Sequence, residues 1–231
     1  MTIWITAALK AELNLLKDRL NARRQGHAAG YSYYMGKMGS QPVRLGVVGI
    51  GPASAALALG VFFTLERPGM ALMVGSAGAL PESGLAVGDL VTAETEILAE
   101  LGAIREAGIG DAARLKLTDT PQEIALDPSA VRNLTEAAAA VAPVHCGRVL
   151  TVMGIPAGPE QAAARTRHFR AVAENMEGYA LALAGRRFGI PVAEVRGISN
   201  AAGDRDKSRW DFRTAQDRAQ KAVLEFLKRL P

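Results

Sequence analysis

The sequence predicts an α/β protein, a three-layer α/β/α sandwich around a mixed central β-sheet. Short apolar, strand-like runs alternate with helix-periodic segments along most of the chain, the pattern of layered α/β architecture. The early strands cluster before that alternation sets in, which points to a mixed sheet. With 231 residues, 49% apolar and 22% charged, the chain can bury one large core and has the balance of an ordinary globular protein.

Ile3 to Thr6 forms a short buried strand. Leu13, Leu16 and Leu20 recur at helical spacing and predict a helix over Ala11 to Leu20. Tyr31 to Met38 and Val43 to Val48 are strand-like, separated by the turn residues Gly39-Ser40-Gln41-Pro42. Gly49-Ile50-Gly51-Pro52 then punctuates the entry into an Ala-rich helix, Ala53 to Leu65. Ala71 to Val74 is a short apolar strand ending in Gly75-Ser76-Ala77-Gly78-Ala79-Leu80-Pro81. Val87 to Thr92 is another, introduced by Gly88-Asp89. Residues 94–121 are the least patterned stretch and are expected to contain loops. Beyond them come a helix (Ser129 to Val141), a strand (Gly147 to Val152) and a helix (Gly158 to His168). The chain closes with a strong helix (Met176 to Phe188), a buried strand (Val192 to Ile198) and an amphipathic helix (Asp211 to Leu230). No repeat, low-complexity tail or linker interrupts this order, so one domain is expected over 1–231.

The net charge of +4 is modest, and Lys and Arg interleave with Asp and Glu, so nucleic acid is not an expected partner. The single Cys146 rules out an intramolecular disulfide and points to a reducing, cytoplasmic setting. The scattered His27, His145 and His168 offer no metal-ligand spacing. No metal or organic cofactor is expected. The first residues are apolar but lack a basic leader, and they read as a strand rather than a signal peptide. No apolar run approaches the ~20 residues that span a bilayer, so no membrane partner is expected.

Two glycine clusters invite a ligand. Gly46-Val-Val-Gly-Ile-Gly-Pro follows a strand and precedes a helix, but its spacing is not G-x-G-x-x-G. No acidic residue follows a second strand at the ~20-residue distance that ribose recognition requires. It reads as a tight strand-to-helix turn. Gly75-Ser76-Ala77-Gly78 ends an apolar strand, where open α/β sheets place ligands, and it is either a plain turn or a ligand loop. The richest stretch is Asn175 to Trp210. There a Met176-Glu177 pair opens a helix, and a later strand runs into Ser199-Asn200 and a Gly203-Asp204-Arg205-Asp206 loop. A carboxylate at a helix start and an amide at a strand end suit a polyhydroxylated ring joined to a heterocycle. Taken singly, Glu12 reads as a solvated helix residue, Glu177 as a helix-dipole partner beside the N-cap Asn175, and Met176 as a core filler.

Together these segments make a specific set. The order AALKAELNLL after the first strand, GIGPASAALALG, GSAGAL followed by VGDLV, NMEGYALA and VRGISNAAGDRD resembles the nucleoside phosphorylase and nucleosidase superfamily. The resemblance covers nearly the whole chain and is weakest over 94–121. The C-terminal pattern, Ser-Asn-x-x-Gly-x-Arg-Asp then Trp-Asp, is most similar to that of the futalosine hydrolases of the alternative menaquinone route. Phosphorylases of the superfamily hold phosphate with arginines after the first strand and two residues before the central glycine. Here the first loop leads to Glu12 and the second position is Met73. A phosphate without guanidinium partners loses its strongest hydrogen bonds, so water is the expected nucleophile.

The resemblance implies Glu12 as general base, Glu177 as the ribose-binding carboxylate and Asn200 as the residue facing the base. Ser76, Ala77, Gly78, Met176 and Ser199 line the substrate. Asn200 stands where adenine-specific members carry Asp, which suits a 6-oxopurine, although an amide can also turn to suit adenine. Asn200 is no ready acid, and Asp204, or water beside it, is a substitute donor or else an ordinary loop residue. Arg205 and Arg209 are candidates for the benzoate of futalosine, or for ordinary loop pairs with Asp204 and Asp206. Trp210 is expected to pack the loop down. A small-molecule nucleoside is the expected partner, and the resemblance implies a homodimer or larger homo-oligomer. The alternatives are a methylthioadenosine/S-adenosylhomocysteine-type nucleosidase, a phosphorylase, and a non-catalytic nucleoside binder.

Overall fold

The computed structural model describes residues 1–105, 108–111 and 120–230. The chain opens with β1 (Ile3–Ala7), a 3₁₀ turn (Lys10–Leu13) and α1 (Asn14–Arg19). A meander of β2 (Arg24–Ala28), β3 (Tyr31–Met38) and β4 (Gln41–Val47) follows, then α2 (Pro52–Leu65), β5 (Met70–Ala79) and β6 (Leu90–Leu98). A separate ribbon of β7 (Gly102–Arg105) and β8 (Gly108–Asp111) precedes β9 (Glu123–Ala125), α3 (Pro128–Ala138) and β10 (Val144–Thr151). The last elements are α4 (Pro159–Phe169), β11 (Ala173–Asn175), α5 (Gly178–Phe188), β12 (Val192–Ala201), a 3₁₀ turn (Lys207–Arg209) and α6 (Phe212–Lys228).

The central sheet runs β11-β10-β6-β12-β5-β1-β4-β3-β2, with β9 added to β6. β5 lies parallel to β1 and β12, while β12 meets β6 antiparallel, so the sheet is mixed. β11 pairs with β10 and also, antiparallel, with β5, so that end of the sheet curls back on itself. Alternation along β12 sorts its two faces. Val195 and Gly197 belong to the side covered by α6, where a Cβ on Gly197 would stand 2.0 Å from the Ala215 carbonyl oxygen. Glu194 and Arg196, one residue out of phase, face the side of α5. Among the described residues no helix is long and apolar enough to cross a membrane.

Three expectations change. The Gly75–Ala79 segment is neither turn nor loop. It continues β5, because β12 pairs along the whole segment and β11 adds partners at Gly78 and Ala79, overriding its glycine content. The helix expected from Met176 begins at Gly178, since Ala173–Asn175 is drawn into the sheet and Met176-Glu177 forms the corner between them. β2 and β9, weakly apolar edge additions, carried no strand signal. Of the unpatterned 94–121 stretch, residues 106, 107 and 112–119 lie outside the described residues.

The close approach at Gly197 gives a direct test. Gly197→Ala sets a methyl against main chain that has no rotamer to yield, and it should lower unfolding stability by about 1–3 kcal/mol. Urea denaturation with an unchanged m-value would read the loss as a stability change of the folded state.

Candidate active site

The ends of β1, β5 and β12 and the corner after β11 enclose a cavity of about 270 Å³. Its deep end is polar. Glu12, on the 3₁₀ turn after β1, is buried, and its Oε2 accepts from the Leu9 N–H at 3.0 Å. Its Oε1 accepts from the Ser76 N–H at 3.2 Å, with the Ser76 hydroxyl 3.5 Å away. Glu177 is buried opposite. Its Oε1 accepts from the Gly51 N–H at 3.1 Å, and its Oε2 from Arg196 Nη1 at 3.2 Å. Gly51 holds φ of 92°, a conformation open to glycine, so the turn before α2 exists to aim that N–H. Burial is the largest influence on Glu12 and raises its pKa; the Arg196 charge and the two backbone donors pull it back.

Arg196 is the hub. Its guanidinium is fully buried, donating to Glu177, to Glu194 Oε1 at 2.6 Å through Nε, and to Met73 Sδ at 3.0 Å through Nη2. The surrounding carboxyls hold it protonated against the cost of burial. Gly75 permits this approach, since a Cβ there would stand 2.6 Å from Arg196 Nη1 and 3.0 Å from Glu12 Oε1. Beneath lies a second polar layer. Asn175 Oδ1 accepts from the N–H groups of Glu177 and Gly178 at 2.8 and 2.7 Å, satisfying the first N–H of α5 and fixing the corner that carries Glu177. Its Nδ2 donates to Glu96 Oε1 at 2.8 Å and Glu194 Oε1 at 3.2 Å, and Thr151 donates to Glu96 Oε2 at 2.7 Å. A Cβ on Gly178 would stand 2.3 Å from both Glu96 Oε1 and Glu194 Oε2, so only glycine admits the two carboxyls together. Burial, then the neighbouring Glu194, pushes Glu96 well above the usual carboxyl range. Among the described residues, Glu194 Oε2 in the same layer is buried without a hydrogen-bond partner.

The other end of the cavity is built on Gly78. Asn200 faces it from β12 and Glu174 from β11. A register shift at Ser199 sets Asn200 rather than Ser199 opposite Gly78. The Ser199 hydroxyl lies 2.7 Å from Asn200 Oδ1 and 3.2 Å from the Ala77 carbonyl; Asn200 Nδ2 donates to the Ala201 carbonyl. Ala77, Met176, Ile50, Ile155 and Phe212 supply apolar wall.

Of the residues singled out in the sequence, Glu12, Ser76, Ala77, Gly78, Met176, Glu177, Ser199, Asn200 and Arg205 line this cavity. Arg209 does not. It pairs with Asp204 Oδ1 at 2.9 Å and Asp206 Oδ2 at 3.4 Å, and its side chain is turned outward. Trp210 lines the mouth while donating Nε1–H to the Asp204 carbonyl at 3.0 Å, which ties the loop down. Sequence reasoning missed Arg196, Glu174, Glu194 and Glu96. The signal for two of them was two charges in the apolar run Val192 to Ile198. No cluster of three or more His, Cys, Asp or Glu among the described residues is arranged to hold a metal.

A model of the phosphorylase superfamily matches residues 2–230. The chain is 36% identical over 183 residues to a futalosine hydrolase of Thermus thermophilus, covering 78% of each protein. It is 27% identical over 242 residues to a 5′-methylthioadenosine/S-adenosylhomocysteine nucleosidase of Exiguobacterium sp., covering 100% of this chain and 99% of that one. The solved structure of a nucleosidase of the same description from S. pneumoniae, bound to the transition-state inhibitor MT-ImmA, matches with a TM-score of 0.87. Identity there is 28%, with both chains fully covered.

Removing the hub should unbalance the site. Arg196→Met leaves Glu12, Glu177 and Glu194 buried around no cation and should cost about 3–5 kcal/mol near neutral pH. The Glu12 carboxyl, already raised, rises further without Arg196. Ionising such a group in the folded state costs stability at pH values above its unfolded pKa, and protonation removes the penalty. The deficit in guanidinium denaturation should therefore shrink as pH falls through the raised pKa.

Proposed function

The chain belongs to the phosphorylase superfamily, and on that premise we propose that it is a nucleosidase that hydrolyses the N-ribosidic bond of futalosine. The products are hypoxanthine and dehypoxanthine futalosine, an intermediate step of the alternative menaquinone route. One observation carries the hydrolytic reading. Among the described residues the one arginine side chain at the deep end of the cavity is Arg196, which gives three of its five N–H donors to Glu177, Glu194 and Met73. Its charge is already offset by two carboxyls, which makes it a poor grip for a phosphate dianion, whereas the buried Glu12 can take a proton from water.

Water adds to the anomeric carbon as the bond to the base nitrogen breaks. Glu12, in its ionised form, accepts the water's proton, and Ser76 orients that water or a ribose hydroxyl. Both Glu177 oxygens are already used once, yet each keeps lone-pair capacity for a ribose hydroxyl. The negative charge of Glu177 favours the cationic sugar that develops as the bond breaks. Met176 lies against the ribose, and Ala77, Gly78 and Ser199 form the floor and side of the base pocket. Asn200 donates to O6, and the departing base takes a proton at N7 from Asp204 or a water beside it, the N7–H then donating to the Asn200 carbonyl. Arg205, exposed at the mouth, is the remaining partner for the substrate benzoate. The 36% identity to a futalosine hydrolase supports this substrate. The second reading, an adenine-releasing methylthioadenosine/S-adenosylhomocysteine nucleosidase, draws on relatives that align over the full chain. Asn200 in place of Asp weighs against it. The same reading carries a cytoplasmic enzyme of one domain over 1–231, without metal or cofactor. It also carries a homodimer or larger homo-oligomer, for which the exposed Leu57 and Leu65 of α2 and nearby Ile50 offer an apolar face.

Base release from futalosine, methylthioadenosine and inosine, with and without phosphate, is the deciding measurement. The expected result is hypoxanthine from futalosine at a rate indifferent to phosphate. Adenine release would replace the substrate, and phosphate dependence would replace the reaction. Glu12→Gln should lower kcat by about 10²–10⁴-fold while still binding substrate. Because Glu12 must be ionised and burial raises its pKa, activity should fall on the acid side at pH values above the ordinary carboxylate range. Full turnover by Glu12→Gln would refute this base.

A further inference from the structure

We infer that Glu174 is the residue that distinguishes a 6-oxopurine from a 6-aminopurine, by accepting a hydrogen bond from N1–H of the oxo base; the inference rests on the nucleosidase reading above. Asn200 cannot make this distinction alone. Its amide presents a donor and an acceptor, and either end can be turned to a purine's six-position. A carboxylate has no such freedom. Next to O6, a 6-oxopurine presents N1 as a donor, whereas a 6-aminopurine presents N1 as a lone pair that a carboxylate repels.

The placement follows from the sheet. Glu174 on β11 and Asn200 on β12 both stand opposite Gly78 of β5, so the three lie in one row across adjacent strands. A Cβ on Gly78 would stand 3.5 Å from both Asn200 Nδ2 and Glu174 Cγ. The absent side chain leaves a floor for a flat heterocycle, with an amide on one side and a carboxyl on the other.

Glu174 is 5% exposed and lines the cavity. Its Oε2 accepts from Arg165 Nη1 at 2.8 Å, while no described residue donates to Oε1. Arg165 is itself fixed, because its Nη2 donates at 2.8 Å to both Glu100 Oε1 and the Gly154 carbonyl. The carboxyl is thereby clamped by one oxygen and presents the other. Burial raises its pKa, and Arg165 opposes that shift and favours the accepting, ionised form.

The test compares wild type and Glu174→Gln on futalosine and its 6-amino counterpart. Glutamine can keep its carbonyl on Arg165 and turn its NH2, a donor, into the cavity. The variant should lose roughly 10–100-fold in kcat/KM on futalosine, with the oxo-to-amino ratio shifting towards the amino substrate. Inhibition of the wild type by free hypoxanthine and adenine reads the same preference without any variant. If the wild type prefers the oxo base and Glu174→Gln, with its thermal midpoint retained, keeps the ratio, Glu174 is only an anchor for Arg165 and the inference fails alone. If the wild type shows no preference for the oxo base in either assay, the futalosine reading fails and takes the inference with it.

Discussion

The site depends on one buried guanidinium. Arg196 touches Glu177 and Glu194 directly and lowers the pKa of Glu12 through its charge, so three carboxyls on different elements are held by one side chain of β12. Buried ion pairs contribute little net stability once desolvation is counted, because the alternative of apolar packing costs nothing in solvation. The arrangement is therefore better explained by what it does to geometry and proton affinity. Arg196 fixes the position of Glu177 while leaving each of its oxygens able to accept again. It also limits the rise in the Glu12 pKa, as the proposed role of that carboxyl in taking a proton from water requires. Without the guanidinium that carboxyl would lie further above its ordinary value.

Glycine is the second constraint, and it acts by subtraction. Gly75 leaves room for Arg196 and Glu12, Gly178 for the Glu96 and Glu194 carboxyls, and Gly78 for whatever lies between Glu174 and Asn200. Each stands in or beside regular structure; a methyl would collide with a polar group of the site at Gly75 and Gly178, and would fill the space between Glu174 and Asn200 at Gly78. The same residues that weaken a strand or helix locally make the polar centre possible. Asn175 compensates at the corner by accepting the first N–H of α5 with one end of its amide and tying Glu96 to Glu194 with the other.

Much of this was legible in the sequence, and the gaps have physical causes. The alternation of strands and helices came through because apolar periodicity is local, and Glu12, Glu177 and Asn200 came through because they sit in ordered motifs. The continuation of β5 through Gly75–Ala79 was illegible because pairing with β11 and β12 is non-local, and glycines argue against a strand when the partners are unknown. β11 was hidden for the same reason, at three residues long. Arg196 and Glu194 could have been found, since a Glu and an Arg two residues apart in an apolar strand must face the same side and must be paired to be buried. Glu174 gave no such sign, because its meaning depends on Arg165 and on a row of three strands.

The hydrolytic and phosphorolytic branches of this architecture differ by where positive charge is free. Phosphate needs guanidinium groups with unpaired donors facing the cavity. Here Met73 occupies one of the positions where such an arginine is expected, and its sulfur accepts a hydrogen bond from Arg196, drawing a third donor of that guanidinium away from the pocket. Glu177 and Glu194 take two more. A dianion entering beside Glu12 and Glu177 would meet two carboxyls and a cation already committed to its neighbours. A water molecule meets no such penalty, because it can donate to Glu12 and still accept. Met73 thus brings no cation of its own and accepts from the one beside it, and both effects favour water over phosphate as the nucleophile.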